Sequence, residues 1–244
     1  MENNPFSGIK TYDNYSHLWQ LTAFIIFTQF IVSLLVAGLV LHSGLHLTPF
    51  ETILPAMLVT GFISWSMLDG IGVSWRGAFA DWNRNAQSDL KKALKYFAGY
   101  GLLLLSLFAI LGAALWFLGD GMEKLVQPLS DRSVKVDSLL RGVAAASRPR
   151  FLLVLFSACV AAPVIEEIFF RRIIYTTIRL KKGFWFSAFW SGLLFAVFHG
   201  VAAPVILPVG MYACWVYERE RRLPVNIMLH SMINFSMITL KVLV

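Results

Sequence analysis

Three short clusters of polar side chains interrupt apolar stretches of this 244-residue chain: Glu166-Glu167-Ile-Phe-Phe-Arg171, Phe195-Ala-Val-Phe-His199 and His230-Ser-Met-Ile-Asn234. An ionisable group in hydrocarbon is costly unless it meets a partner or water, so such groups are read first as functional. Three clusters on three successive apolar segments suggest one shared polar cavity. A carboxylate, two imidazoles and a carboxamide are the parts that water-mediated acyl hydrolysis needs.

Helical spacing divides the roles further. Glu167 and Arg171 are i,i+4 with the acid first, the favourable order for an ion pair. Glu166 points about 100° away from Glu167. The division this predicts is that Arg171 neutralises Glu167 while Glu166 faces the cavity as general base. Phe195 lies one turn before His199, on the same face, so its ring is expected against the imidazole. His230 and Asn234 also share a face. Each cluster has a plainer alternative: an interfacial charge pair, a histidine at a helix end, a His–Asn pair bonding neighbouring helices. The ordered occurrence of all three within about seventy residues favours the functional reading.

The elements that carry these residues are membrane helices. Hydrophobic residues make up 57% of the chain and charged residues 14%, against roughly 25% charged in a soluble domain. Mean hydropathy is +0.67. Such a chain cannot cover itself with polar surface, so the expected class is all-α, a polytopic transmembrane bundle. Apolar runs fall at about 18–42, 52–75, 93–118, 151–180, 184–203, 204–217 and 224–244. That makes about seven segments, with the last four as core. The sixth is short against the ~20 residues a span needs, and Pro204, Pro208 and Gly210 interrupt it. The division expected is 1–150, N-terminal helices and loops, and 151–244, the helical core carrying the three clusters. Residues 1–17 are expected at the membrane surface, and 119–150 as the largest extramembrane segment. To bring Glu166 and His199 to similar depth, the fourth segment must continue as helix to about Leu180, which puts Arg171 and Arg172 in the membrane zone, where they need partners.

The net charge of +7 comes from Lys and Arg between apolar segments, with no basic-aromatic nucleic-acid pattern; the expected partners are the lipid bilayer and a membrane-associated peptide, not nucleic acid. Assigned to alternating sides, fourteen Lys and Arg fall with the N-terminus (Lys10, five in 76–95, five in 171–182, three in 219–222). Seven fall opposite, six in 124–150 and Lys241. The positive-inside rule therefore predicts a cytoplasmic N-terminus, and the expected location is a bacterial inner or plasma membrane. The N-terminal region lacks the basic n-region of a cleaved signal peptide, so the first segment is expected to remain as a helix. Cys159 and Cys214 sit in apolar runs without CxxC spacing and read as structural. His17, His42 and His46 flank the first run and read as interfacial. Asp69 reads as a helix-end residue. Absence of an internal repeat disfavours an ion or proton transporter. Hydrolase and non-catalytic membrane scaffold or immunity protein remain.

The ordered EExxxR, FxxxH and HxxxN motifs, with Ser-Gly-Leu-Leu-Phe195 and Asn-Ile-Met-Leu-His230 around them, resemble the CPBP family over about residues 150–240. That family includes CAAX-processing endopeptidases of the Ras-converting type and bacteriocin-processing or abortive-infection membrane proteins. One departure is Arg172, where members often carry Gly. The resemblance implies an intramembrane endopeptidase with a cavity open to the cytoplasm. Glu166 and His199 would activate water, His230 and Asn234 would hold the oxyanion, and Glu167, Arg171 and Phe195 would support them. The substrate it implies is a prenylated CAAX-type C-terminus or a leader or membrane peptide. No cofactor is expected; zinc on Glu166, His199 and His230 is the alternative, disfavoured because HExxH-type spacing is lacking.

Overall fold

A computed structural model describes residues 6–45, 47–118 and 120–243; His46 lies outside them. The described chain is all-helical, with elements α1 (Tyr15–Ser43), α2 (Pro49–Gly70), α3 (Trp75–Leu118), α4 (Asp120–Ala146), α5 (Arg148–Arg179), α6 (Phe184–Val197), α7 (Ala203–Glu220) and α8 (Leu223–Leu243). Five of these, α1, α2, α3, α5 and α8, are long and apolar enough to cross a membrane. The fifth and sixth apolar runs form the shorter helices α6, of 14 residues, and α7, of 18, which opens on Pro204 and contains Pro208.

Helix ends follow local signals. Asn14 accepts from the backbone N–H of Ser16 and His17 to start α1, and Gly44, at φ 67°, stops it in the left-handed region. Thr48 and Glu51 form a reciprocal capping box at the start of α2. Glu51 also takes a two-pronged bond from Arg150 at 2.9 Å, which ties the start of α2 to the start of α5.

Helix α5 runs unbroken from Arg148 to Arg179 but widens into π-helix over Ser157–Ala161 and Glu167–Tyr175. The first widening has a covalent cause. Pro163 has no N–H to give and would crowd the carbonyl four residues back, and the wider turn just before it relieves both. The second contains the EExxxR arginine, and Thr176 Oγ1 donates to Arg171 O there at 2.8 Å.

Two ends of the bundle can be told apart. The basic end holds Lys10, the α2–α3 turn, the α5–α6 turn and the α7–α8 turn. The far end holds the α1–α2 turn, α4, the α6–α7 turn and the last residues of α8. At the basic end residues 6–14 do more than rest on a surface. Phe6 is fully buried among Tyr175, Ala188, Cys214 and Tyr217, Lys10 Nζ donates to Gly72 O at 2.8 Å, and Tyr12 Oη donates to Met67 O at 2.7 Å. The difference from expectation is one of tertiary packing: Phe6, with Ile9 packed beside it, finds a hole between α5, α6 and α7.

At the far end α4 packs Leu140 and Val143 onto Val154, Phe50, Phe151 and Val242. The segment expected as the largest extramembrane one is thus a helix laid against the bundle. Helices α6 and α7 pack most closely of all, because Gly192 and Gly210 face each other; a Cβ on Gly210 would lie 3.0 Å from the Gly192 Cα. Gly61 of α2 admits Ile165 in the same way, so α2 comes directly beside the motif carboxylates.

Candidate functional site

Four elements converge: α5 at Glu166 to Arg171, α6 at Phe195, the α6–α7 turn at His199, and α8 at Asn226 to Asn234. The expected i,i+4 pair forms: Arg171 Nε lies 3.2 Å from Glu167 Oε2, with both side chains 1% exposed. Glu167 is bound from three directions. His230 Nδ1 stands 3.0 Å from Oε1, and Asn226 Nδ2 donates to Oε2 at 3.3 Å. Arg171 also stacks its guanidinium over the Phe195 ring, 4.5 Å from the centroid.

Glu166 is the contrasting carboxylate. Its side chain is 22% exposed and lines the cavity, Oε2 has no hydrogen-bond partner among the described residues, and the nearest cationic candidate is His230 Nε2 at 3.8 Å. That separation is too long for a direct hydrogen bond and suits a bridging atom between the two groups.

The histidine tautomers follow from their partners. His199 Nδ1 is 2.8 Å from the Phe195 carbonyl, which only accepts, so Nδ1 carries a proton. His230 Nδ1 faces the Glu167 carboxylate and carries a proton by the same logic. To donate from Nε2 as well, His230 must be the imidazolium. The Phe195 ring sits between the two imidazoles, 4.6 Å from His199 and 5.9 Å, edge-on, from His230. Asn234 Nδ2 donates to Ala158 O at 2.7 Å, which leaves the second N–H of that amide for another acceptor.

Glu166, His199, His230 and Asn234 all line one cavity of about 440 Å³, within the range of about 300–1,000 Å³ typical of small-ligand sites. Its other walls are largely apolar, with Ile53 and Met57 of α2, Phe169 of α5 and Met237 of α8 among them. Glu167 and Arg171 stand behind the cavity wall. Arg172, the departure from the usual motif, reaches the N-terminal segment, with Nη2 donating to Lys10 O at 2.8 Å. Among the described residues no three His, Cys, Asp or Glu side chains gather with metal-holding geometry.

Asn226 had no role in the sequence reading, although it stands in the stretch leading to His230. It bridges Glu167 to the Ala213 carbonyl, at 2.8 Å, and so fixes α8 to α5 and α7 at once. The signal was present: Asn226, His230 and Asn234 follow at i, i+4 and i+8, one continuous polar stripe on an apolar helix. The Ala158 carbonyl had no signal in sequence.

A membrane helical bundle with a carboxylate–imidazole cavity at mid-depth is the class these features define. Residues 148–236 match the family model described as Type II CAAX prenyl endopeptidase Rce1-like. This segment supplies all four candidate catalytic residues, and the resemblance read from the motifs agrees with it. The "Putative membrane peptidase YdiL" of Bacillus subtilis (strain 168) is 30% identical over 84 residues, 34% of this chain and 34% of that protein, so the likeness spans about a third of each. No solved structure matches.

Proposed function

We propose that the chain is an intramembrane endopeptidase that hydrolyses a peptide bond of a membrane-associated substrate with a water activated by Glu166 and His199. The observation that carries this reading is the contrast of adjacent carboxylates. Glu167 is enclosed by three partners, whereas Glu166 lines the cavity beside the His230 imidazole, with His199 on the wall of the same cavity. In the reaction, Glu166 takes a proton from water as its oxygen bonds to the scissile carbonyl carbon. The carbonyl oxygen becomes an oxyanion, held by the spare Asn234 N–H and by Nε2–H of the His230 imidazolium. The proton then passes to the leaving amine nitrogen as the C–N bond breaks, with His199 Nε2 placed to share the transfer. Glu167 acts through His230, holding its Nδ1–H as a carboxylate orients an imidazole in hydrolytic triads.

This mechanism uses no metal, and activity is expected to survive strong chelators. The family likeness favours a membrane-anchored peptide substrate, and the charge distribution favours an N-terminus in the cytoplasm. The test is purified protein in detergent against a quenched peptide library, with and without a prenyl group, wild type beside Glu166→Gln. Cleavage by wild type alone supports the reading. Equal cleavage by both, or full loss on chelation restored by zinc alone, removes it.

A further inference from the structure

Gln29 is a polar residue for which the catalytic reading has no use. It stands at the midpoint of α1, in a run from Leu21 to Leu41 that holds one carboxamide and no charged side chain. A carboxamide in that setting is costly unless its hydrogen-bonding groups are met. Half of this one is met. Gln29 Nε2 donates to Thr60 Oγ1 of α2 at 2.7 Å, and Thr60 gives its own hydrogen to Ala56 O at 3.1 Å. The Thr60 hydroxyl can then only accept, so the nitrogen of the amide must face it, and the orientation of the carboxamide is fixed.

The other half has no partner. Oε1 and the second N–H of Gln29 bond no described residue, and Gln29 and Thr60 both line the cavity of about 440 Å³. A tie between two membrane helices accounts for one N–H and leaves the acceptor unexplained.

The pair also borders the chemistry. Gly61 follows Thr60 on α2, and a Cβ on it would lie 3.0 Å from Ile165 Cγ1. Glu166 follows Ile165 on α5. From the point where α2 meets α5, Thr60 is one residue along one helix and Glu166 one residue along the other.

The cavity walls set what a peptide would need there. They are largely apolar, with Ile53, Met57 and Phe169 among them, so backbone N–H and C=O groups entering this space lose water and require partners. In an extended chain the N–H and C=O of one residue point the same way, and a paired strand meets them with one acceptor and one donor. The unused Oε1 and N–H of Gln29 are one acceptor and one donor on a single planar group.

We propose that Gln29 is a substrate-positioning residue: its carboxamide, oriented by Thr60, accepts from the N–H and donates to the C=O of one residue of an extended peptide, close to the scissile bond. Helix α1, which lies outside residues 148–236 of the family match, then supplies a subsite that reads backbone extension and not side-chain identity. The proposal rests on the hydrolase reading for the scissile bond; the peptide contact does not.

The experiment uses the purified full chain in detergent and the peptide cleaved best from the quenched library, or bound best if none is cleaved. Each backbone N–H except that of the scissile bond is replaced in turn by an ester oxygen, which deletes one donor. In wild type, one ester within about two residues of the cleavage point should raise KM by about 5–10-fold, the effect of one hydrogen bond, with kcat little changed. Gln29→Leu should raise KM for the all-amide peptide by about 30-fold, the effect of two such bonds, and should no longer discriminate against that ester. Thr60→Val keeps the shape but removes the group that orients the amide, so it should lose part of the same discrimination. Affinities of fluorescent versions of these peptides for Glu166→Gln, with and without Gln29→Leu, should repeat the pattern. Equal ester sensitivity in wild type and Gln29→Leu, or none at any position, overturns the proposal, and Glu166-dependent cleavage in that case leaves the hydrolase reading standing. A loss in Gln29→Leu that only follows its unfolding temperature makes Gln29 a helix tie and also overturns it. Should Gln29→Leu fail to fold, full ester discrimination in Thr60→Val overturns it. Ester-sensitive binding that Gln29→Leu abolishes, without any Glu166-dependent cleavage, supports the contact and removes the hydrolase reading.

Discussion

The two halves of the bundle are built on opposite plans. Toward the basic end, polar groups are paired across helices. Arg222 binds Asp89 through Nε at 2.5 Å and Nη2 at 2.8 Å and reaches Asp81 at 3.0 Å, while Glu220 takes Lys92 at 2.7 Å and the Tyr96 hydroxyl at 2.5 Å. These bonds flank Arg221, whose φ of 53° is unfavourable for a side-chain-bearing residue, and hold the α7–α8 turn against α3. Toward the far end, beyond the Arg150–Glu51 tie, the helices line the cavity, and α4 is held by a small apolar cluster and by the Lys241 ion pair to Asp137. The braced half fixes the angle and depth at which α8 presents His230 and Asn234, and the open half leaves room for a reactant. Glu167 belongs to the first plan and Glu166 to the second, though they are neighbours in the chain.

If that division holds, substitutions sort by half. The largest effect is expected from Glu166→Gln, which removes the basic oxygen and keeps the volume. Turnover should fall by about 10⁴-fold, the upper range for loss of a general base, with the thermal unfolding temperature in detergent unchanged. A wild-type rate in this variant would erase the distinction between the carboxylates.

Glu167→Gln is the complementary break. It leaves Arg171 buried without its counter-charge, and stability should drop by about 3–5 kcal/mol. Remaining folded protein should also turn over slowly, because His230 loses the acceptor of its Nδ1–H. Thermal unfolding and rate measured on the same preparation separate the two losses, and a variant as stable as wild type would contradict the braced description.

Asn234→Ala should slow cleavage by about 10²–10³, the usual cost of one oxyanion donor. Since Asn234 also bonds Ala158 O, a small stability loss should accompany it. A rate loss that merely follows the stability loss would reduce Asn234 to a helix tie.

The smallest effect sharpens the basic end. Burial raises the Glu220 pKa, but its bonds to Lys92 and Tyr96 outweigh that and leave it below the ordinary carboxylate value of about 4.5. A lowered folded-state pKa means its stabilisation is fully present above the unfolded value and is lost as pH falls through the folded one. The unfolding-temperature difference between wild type and Glu220→Gln should therefore shrink on acidification below about pH 4.5 and stay constant above it.

Much of this protein is decided locally. Apolar run length sets which segments become membrane helices, because each must satisfy its own backbone in lipid. The Glu167–Arg171 pair, the Phe195–His199 contact and the shared face of His230 and Asn234 each depend on a single helical turn, and each appears as the spacing predicts. What one sequence could not decide is how those helices rotate about their axes and where they lie against one another. The Glu167–His230 bond, the Asn226 bridge, the Asn234–Ala158 bond and the burial of Phe6 join residues between 13 and more than 160 positions apart in the chain. They depend on two π-helical widenings of α5 and on glycine contacts that set helix separations. The cavity itself is likewise a tertiary decision. Residues of α2, α4, α5, the α6–α7 turn and α8 meet around it, a juxtaposition that only close packing of the folded chain creates.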